Sequence, residues 1–90
     1  MKLVYKVKVK NSLGIHTRPA ASIVKLLQPS KSSVFFTYRD ETINARSIMS
    51  ILMLAAKKNS SITITIDGED AQLTMDHLVQ AFENEFGEKK

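Results

Sequence analysis

Cysteine and tryptophan are absent from the 90 residues, and the only histidines are His16 and His77. A disulfide framework is impossible and a structural zinc site built from Cys and His is excluded, so the fold must stand on packing; neither metal nor cofactor is expected. Glycine and proline are scarce, at three and two residues, and no internal repeat, linker or low-complexity tract breaks the chain. The longest nearly unbroken apolar run, Ile48 to Ala56 with Ser50 inside it, is about half of the ~20 residues that a membrane span needs, so no membrane insertion is expected. Met1-Lys2 lead straight into an alternating pattern with no apolar signal core and no small-residue cleavage site, which predicts a cytoplasmic protein.

What is present suits one small domain, residues 1–90. A length of 90 residues leaves no room for two cores, given domains of roughly 100 to 150 residues. The 43% apolar content, with 24% charged residues, departs from the signature of disorder. Thirteen basic and nine acidic side chains leave a net charge of +4. That surplus favours acidic partners: proteins, phosphorylated ligands, nucleic acid or an anionic surface.

Leu3, Tyr5, Val7 and Val9 alternate with Val4, Lys6, Lys8 and Lys10, the period of a strand with one buried face. After Asn11-Ser12-Leu13-Gly14, the apolar residues Ala20, Ile23, Val24 and Leu27 have the spacing of a helix facing a core. Val34–Tyr38 and Thr42–Asn44 read as a hairpin whose turn lacks glycine, with Asp40 as the residue to take a left-handed conformation. Ser47 to Lys57 predicts a second helix capped by Ser47. If Met49, Met53 and Ala56 face its core, Ile48, Ile51, Leu52 and Ala55 form a partly exposed stripe. Ile62, Ile64 and Ile66 alternate with polar residues in a last strand. Asp70 is placed to cap a third helix whose inner face is Met75, Leu78, Val79, Phe82 and Phe86. The order βαββαβα predicts an α+β fold, an antiparallel four-stranded sheet with three helices on one face.

Gly14-Ile15-His16-Thr17-Arg18-Pro19-Ala20 falls where the first strand gives way to the first helix. Such a junction exposes backbone amides without helical partners, and Pro19 suits a first turn because its missing amide hydrogen would be unpaired there anyway. Gly14 lets the backbone bend and approach a ligand. His16 thus stands at the positive end of a helix. An anion there can be held by the Thr17 and Arg18 amides, with the Arg18 guanidinium adding donors matched to phosphate oxygens. Imidazole is also a nucleophile near neutral pH, and phosphoryl transfer to it is mainly a matter of positioning and electrostatics. A lone histidine at a helix start is commonly a surface residue; the combination of Gly14, His16, Arg18 and Pro19 sets this one apart. His77 has no such company and reads as an exposed helix residue.

Ser47 is the second candidate. A serine there is ordinarily an N-cap, but Arg46 precedes it and the helix behind it has more apolar residues than one buried face can use. An exposed apolar stripe marks a docking surface, and a phosphate on Ser47 would place about two negative charges beside it.

These segments resemble the HPr family, the histidine-containing phosphocarriers of the bacterial phosphoenolpyruvate-dependent sugar phosphotransferase system. Residues 14–20 resemble its active-site motif and Asn44-Ala45-Arg46-Ser47-Ile48-Met49-Ser50 its regulatory-serine motif; Asp67-Gly68-Glu69-Asp70-Ala71 and Phe86-Gly87-Glu88 resemble its helix-and-tail pattern. The resemblance implies that His16 accepts a phosphoryl group on Nδ1 from enzyme I and passes it to sugar-specific IIA domains, with Arg18 helping to hold the phosphate. It implies a carrier rather than an enzyme, a monomer, with Ser47 the target of an HPr kinase/phosphorylase and Ile48, Met49 and Leu52 contributing to docking. Its fold is an open-faced β-sandwich. Asp40 and Asn59 stand where members have Gly, Ser12 where Pro is common, and Ser50 where Gly is frequent.

Two alternatives remain open from sequence: the same phosphocarrier used only for regulation, and a small nucleic-acid-binding module using the charge and the strand aromatics Phe35, Phe36 and Tyr38. Against the second, the chain has no RNP1-like motif, no GXXG loop and no dense basic stripe, so no nucleic-acid partner is expected.

Overall fold

A computed structural model describes residues 1–88; the last two residues of the expected 1–90 unit lie outside the described residues. The chain forms β1 (Lys2–Lys8), α1 (Thr17–Leu27), β2 (Ser33–Tyr38), β3 (Glu41–Asn44), α2 (Ile48–Leu54), β4 (Ser61–Asp67) and α3 (Ala71–Glu83), then a short turn at Glu85–Gly87. The strands make one antiparallel sheet in the order β1-β4-β2-β3, so β4, last in sequence, sits between β1 and β2. Register follows the isoleucine alternation: Tyr5, Ile64 and Phe36 lie side by side, as do Leu3, Ile66 and Val34. Ile62, Ile64, Ile66, Val34 and Phe36 are all buried, which makes the inner face of the central strands the floor of the core. Tyr5 shares that face but stays exposed, because β1 is an edge strand.

The helices close that floor from one side. α1 contributes Pro19, Ala20, Ile23 and Leu27, and α3 contributes Ala71, Thr74, Met75, Leu78 and Phe82. This is the open-faced α+β architecture expected, and Ser47 caps α2 as expected, accepting a hydrogen bond from the Ser50 amide at 3.2 Å.

Four local expectations are corrected. α2 ends at Leu54 rather than Lys57, because Ala55 takes a left-handed conformation (φ 53°) that terminates the helix without glycine. Its inward face is also different: Ile51 and Leu54 are buried, while Met49 and Met53 are 65% and 74% exposed; Ala56, past the helix end, is buried as expected. With a single short helix, one extra apolar position is enough to rotate the reading. In the β2–β3 turn the left-handed residue is Arg39 (φ 57°), not Asp40, and its guanidinium lies over the Tyr38 ring, 5.2 Å from the centroid. Asp70 holds the N-cap position of α3, yet its side chain caps nothing.

The Asp70 carboxylate instead accepts from the Ser30 and Ser32 hydroxyls and from the Lys31 amide at 2.9 Å, tying the α1–β2 loop to α3. The Ser32 hydroxyl is the largest influence holding its pKa down, from 3.8 to about 2, followed by the Lys31 amide. A carboxyl depressed on folding binds its proton more readily when unfolded, so its contribution is full above about pH 4 and disappears as pH falls through about 2. Urea unfolding midpoints between pH 5 and pH 2 should therefore fall more steeply for the natural protein than for Asp70→Asn; equal slopes would deny Asp70 this role.

Candidate functional site

His16 is the N-cap of α1, with extended backbone (φ −84°, ψ −167°) and no side-chain bond to the helix it opens. Its carbonyl receives the Ala20 amide at 3.0 Å, so the first intrahelical bond starts from His16. The amides of Thr17 and Arg18 lie ahead of it without intrahelical partners, and Pro19 has no hydrogen to offer. The ring keeps 35% of its side-chain surface in solvent, and Arg18 beside it keeps 76%. Open space adjoins Arg18: a cleft of about 330 Å³ is lined by Ser12, Leu13, Arg18 and Glu88. A partly exposed imidazole, amides without helical partners, a helix dipole and an exposed guanidinium thus converge where an anion can be held.

The loop that delivers His16 is fixed from behind. Gly14 has a positive φ of 69°, and a side chain there would run into the backbone of Ala56 and Lys57. Its close approach is therefore to the chain leaving α2, not to a ligand as the sequence suggested. The next amide, Ile15, donates to the Ala56 carbonyl at 2.9 Å, and the Ile15 side chain is buried.

One site residue comes from far along the chain. Glu88 lies only 16% exposed, with Oε2 2.8 Å from His16 Nε2 and 3.9 Å from Arg18 Nη1. Its other oxygen accepts from buried Asn11 Nδ2 at 2.6 Å, and the same Nδ2 donates to the Glu85 carbonyl at 2.9 Å. Nothing near His16 in sequence announces Glu88; the usable signal is Phe86-Gly87, an apolar anchor followed by a residue tolerant of chain reversal.

Ser47 caps α2, which carries Met49 and Met53, with Ile48 and Leu52 half-buried against the core. Of the docking candidates, Met49 is the open one, and Met53 joins it. Arg46, read from sequence as a charge beside Ser47, is committed elsewhere: Nη1 donates to the Leu27 carbonyl at 2.7 Å, and Nη2 donates to those of Ser30 and Ser32 at 2.7 and 2.6 Å. It closes the carbonyl end of α1. Among the strand aromatics, Phe36 is core, Tyr38 is partly buried against it and Phe35 is exposed at 39%, so no stacking platform forms. His77 is exposed on α3. No group of three or more metal-ligating side chains occurs among the described residues, and no helix among them is long and apolar enough to cross a membrane.

Fold and site together define a class: a small open-faced sandwich that presents a histidine at the mouth of its first helix. Residues 4–84 match the family described as the PTS HPr component phosphorylation site. The chain is 48% identical over 80 residues to the phosphocarrier protein HPr of Chlamydia muridarum, covering 89% of this chain and 77% of that protein. It is 36% identical over 86 residues to that of Xylella fastidiosa, covering 96% and 97%. The crystal structure of HPr-C-His from Thermoanaerobacter tengcongensis superposes with a TM-score of 0.93 at 28% identity, covering 98% of this chain and 99% of that one. The chain belongs to the HPr family, the phosphocarriers of the phosphotransferase system.

Proposed function

We propose that His16 is the phosphoryl acceptor of this phosphocarrier, charged on Nδ1 by phospho-enzyme I in the cytoplasm and discharged to IIA domains. The observation that carries this reading is the ring's placement: open to solvent, at a helix N-terminus, with Nε2 engaged by Glu88 and so Nδ1 left as the nitrogen with a free lone pair. In the transfer, Nδ1 attacks phosphorus while the bond to the donor's leaving atom breaks and its electron pair departs with the donor. The three peripheral oxygens gather negative charge, met by the Thr17 and Arg18 amides and by Arg18, whose loose 3.9 Å approach to Glu88 leaves it able to swing onto the phosphate. Incubation with phosphoenolpyruvate and enzyme I should give an acid-labile, base-stable phosphate that added IIA domain removes. A label that resists acid, or that no IIA domain discharges, would refute the reading.

Ser47 is proposed as a second, regulatory phosphorylation site for an ATP-dependent HPr kinase/phosphorylase. It opens the helix that bears exposed Met49 and Met53, so a phosphate there sits beside the docking face. Charging by enzyme I should slow at least about tenfold after phosphorylation, since a misplaced charge at a docking surface costs several kcal/mol. Ser47→Ala should lose the ATP-dependent label and about 1 kcal/mol of stability with the N-cap. Equal charging rates for the serine-phosphorylated and unmodified proteins would remove the regulatory role.

A further inference from the structure

Glu88 belongs to a segment whose backbone is held in an unfavourable shape. Glu85, Phe86 and Gly87 take consecutive left-handed conformations, with φ of 54°, 52° and 82°. Two of the three are not glycine, and side chains disfavour that region. Such strain persists only where surrounding contacts over-determine it, and an observed outlier of this kind points toward function. The contacts here are specific. The Phe86 ring stands edge-on to buried Phe82 at 4.9 Å, and Asn11 donates both to the Glu85 carbonyl and to the Glu88 carboxylate. Their combined effect is to reverse the chain after α3 and deliver one carboxylate oxygen to His16 Nε2 at 2.8 Å.

We infer that Glu88 is a positioning residue for phosphoryl transfer at His16, acting through Nε2. This rests on the reading of His16 as the acceptor. An ionised carboxylate has no hydrogen to give, so Nε2 donates, and the lone pair of the neutral ring resides on Nδ1. The bond also fixes the ring's orientation at the helix mouth. When the Nδ1 lone pair forms the new N–P bond, the Nε2 hydrogen stays on His16 and the ring gains positive charge. The Glu88 carboxylate meets that charge at hydrogen-bond distance, as a carboxylate that holds an imidazole stabilises its cation. On transfer to an acceptor the N–P electron pair returns to Nδ1 and the ring is neutral again. Glu88 therefore favours the phosphorylated form and the route to it, while never touching the phosphoryl group. Arg18 remains the cation for phosphate, and the pairing of Glu88 with both groups keeps the two charges balanced before phosphate arrives.

The test compares the natural protein with Glu88→Ala and Glu88→Gln. Gln offers one acceptor oxygen to two donors, Asn11 and His16, so its effects should fall between the other two. In ¹⁵N-labelled protein without phosphate, the Nε2-bound hydrogen of His16 should be resolved and slow to exchange in the natural chain and lost in Glu88→Ala. In charging by phospho-enzyme I, kcat should fall about tenfold in Glu88→Ala with KM unchanged, the size that one charge-assisted hydrogen bond carries. The equilibrium of phosphate between enzyme I and His16 should move toward enzyme I by a similar factor. Urea unfolding should show only the modest loss of the Asn11–Glu88 hydrogen bond; the Nε2 signal and the transfer equilibrium are the readouts that a merely structural residue would leave unmoved. An unchanged Nε2 hydrogen signal in Glu88→Ala, or unchanged kcat and transfer equilibrium, overturns the inference. Failure of the natural protein to charge at all refutes the acceptor reading instead, and the Nε2 signal then decides on Glu88 by itself.

Discussion

His16→Ala is expected to carry no acid-labile phosphate after incubation with phosphoenolpyruvate and enzyme I, under conditions that charge the natural protein fully. The effect should be all or nothing, because the loss is of the nucleophile and not of a helper. No other imidazole can replace it: His77 lies on the exposed face of α3, away from the α1 mouth. The fold should be indifferent to the change. His16 caps α1 through backbone alone, and its ring is partly in solvent, so far-ultraviolet circular dichroism and the unfolding midpoint should match the natural protein closely. Labelling of the alanine variant at the natural level would place the acceptor elsewhere.

Phe82→Ala should have the largest effect on stability. Phe82 is fully buried on α3, packed edge-on against Phe36 of β2 at 6.0 Å and against Phe86 at 4.9 Å. Truncation removes the ring's transfer energy and opens a cavity between helix and sheet, a loss of about 3–5 kcal/mol from a total that for a domain is commonly about 5–15. Thermal denaturation should show the midpoint lowered by more than about 10 °C, at roughly 4–8 °C per kcal/mol for a chain of this size. The same substitution removes the surface on which Phe86 rests, so it should also loosen the turn that carries Glu88. A midpoint within about 2 °C of the natural protein would contradict this account of the core.

Most of the architecture was legible because its signals are local. The alternation of Ile62, Ile64 and Ile66 marks β4, and the i, i+3, i+4, i+7 stripe from Ala20 to Leu27 marks α1; each pattern records which face meets the core. The placement of His16 and Arg18 at the mouth of α1 is legible for a similar reason, since Gly14 and Pro19 announce the strand-to-helix junction within a few residues. What was misread depends on partners distant in sequence. α2 has apolar residues on every side, so no periodicity says that Ile51 and Leu54 turn inward while Met49 and Met53 stay out. Asp70 looks like a cap, but three donors from the loop at residues 30–32 outbid the α3 amides. Arg46 looks like a charge for Ser47, but the carbonyl end of α1 lies within its reach. Glu88 stands 72 residues from His16, and only the fold shows that the tail returns to the site.

The functional consequence is a division of labour around one ring. Glu88 engages Nε2 of the imidazole and is itself held by Asn11, with Arg18 close to the carboxylate oxygen that meets Nε2; in the proposed reading Nδ1 and the helix mouth are left to the incoming phosphate. The chain leaving α2 supports the same loop, the Ala56 carbonyl accepting from the Ile15 amide, so the segment just past the helix with the exposed methionines backs the loop that carries His16.

The most direct test is to locate the bond. Protein labelled with ¹⁵N in its histidine rings and charged from phosphoenolpyruvate through enzyme I should show phosphorus coupled to Nδ1 of His16, with Nε2 retaining its hydrogen. Coupling to Nε2, or a phosphorus signal with no ring nitrogen attached, would contradict the placement of the acceptor on the face that Glu88 leaves open.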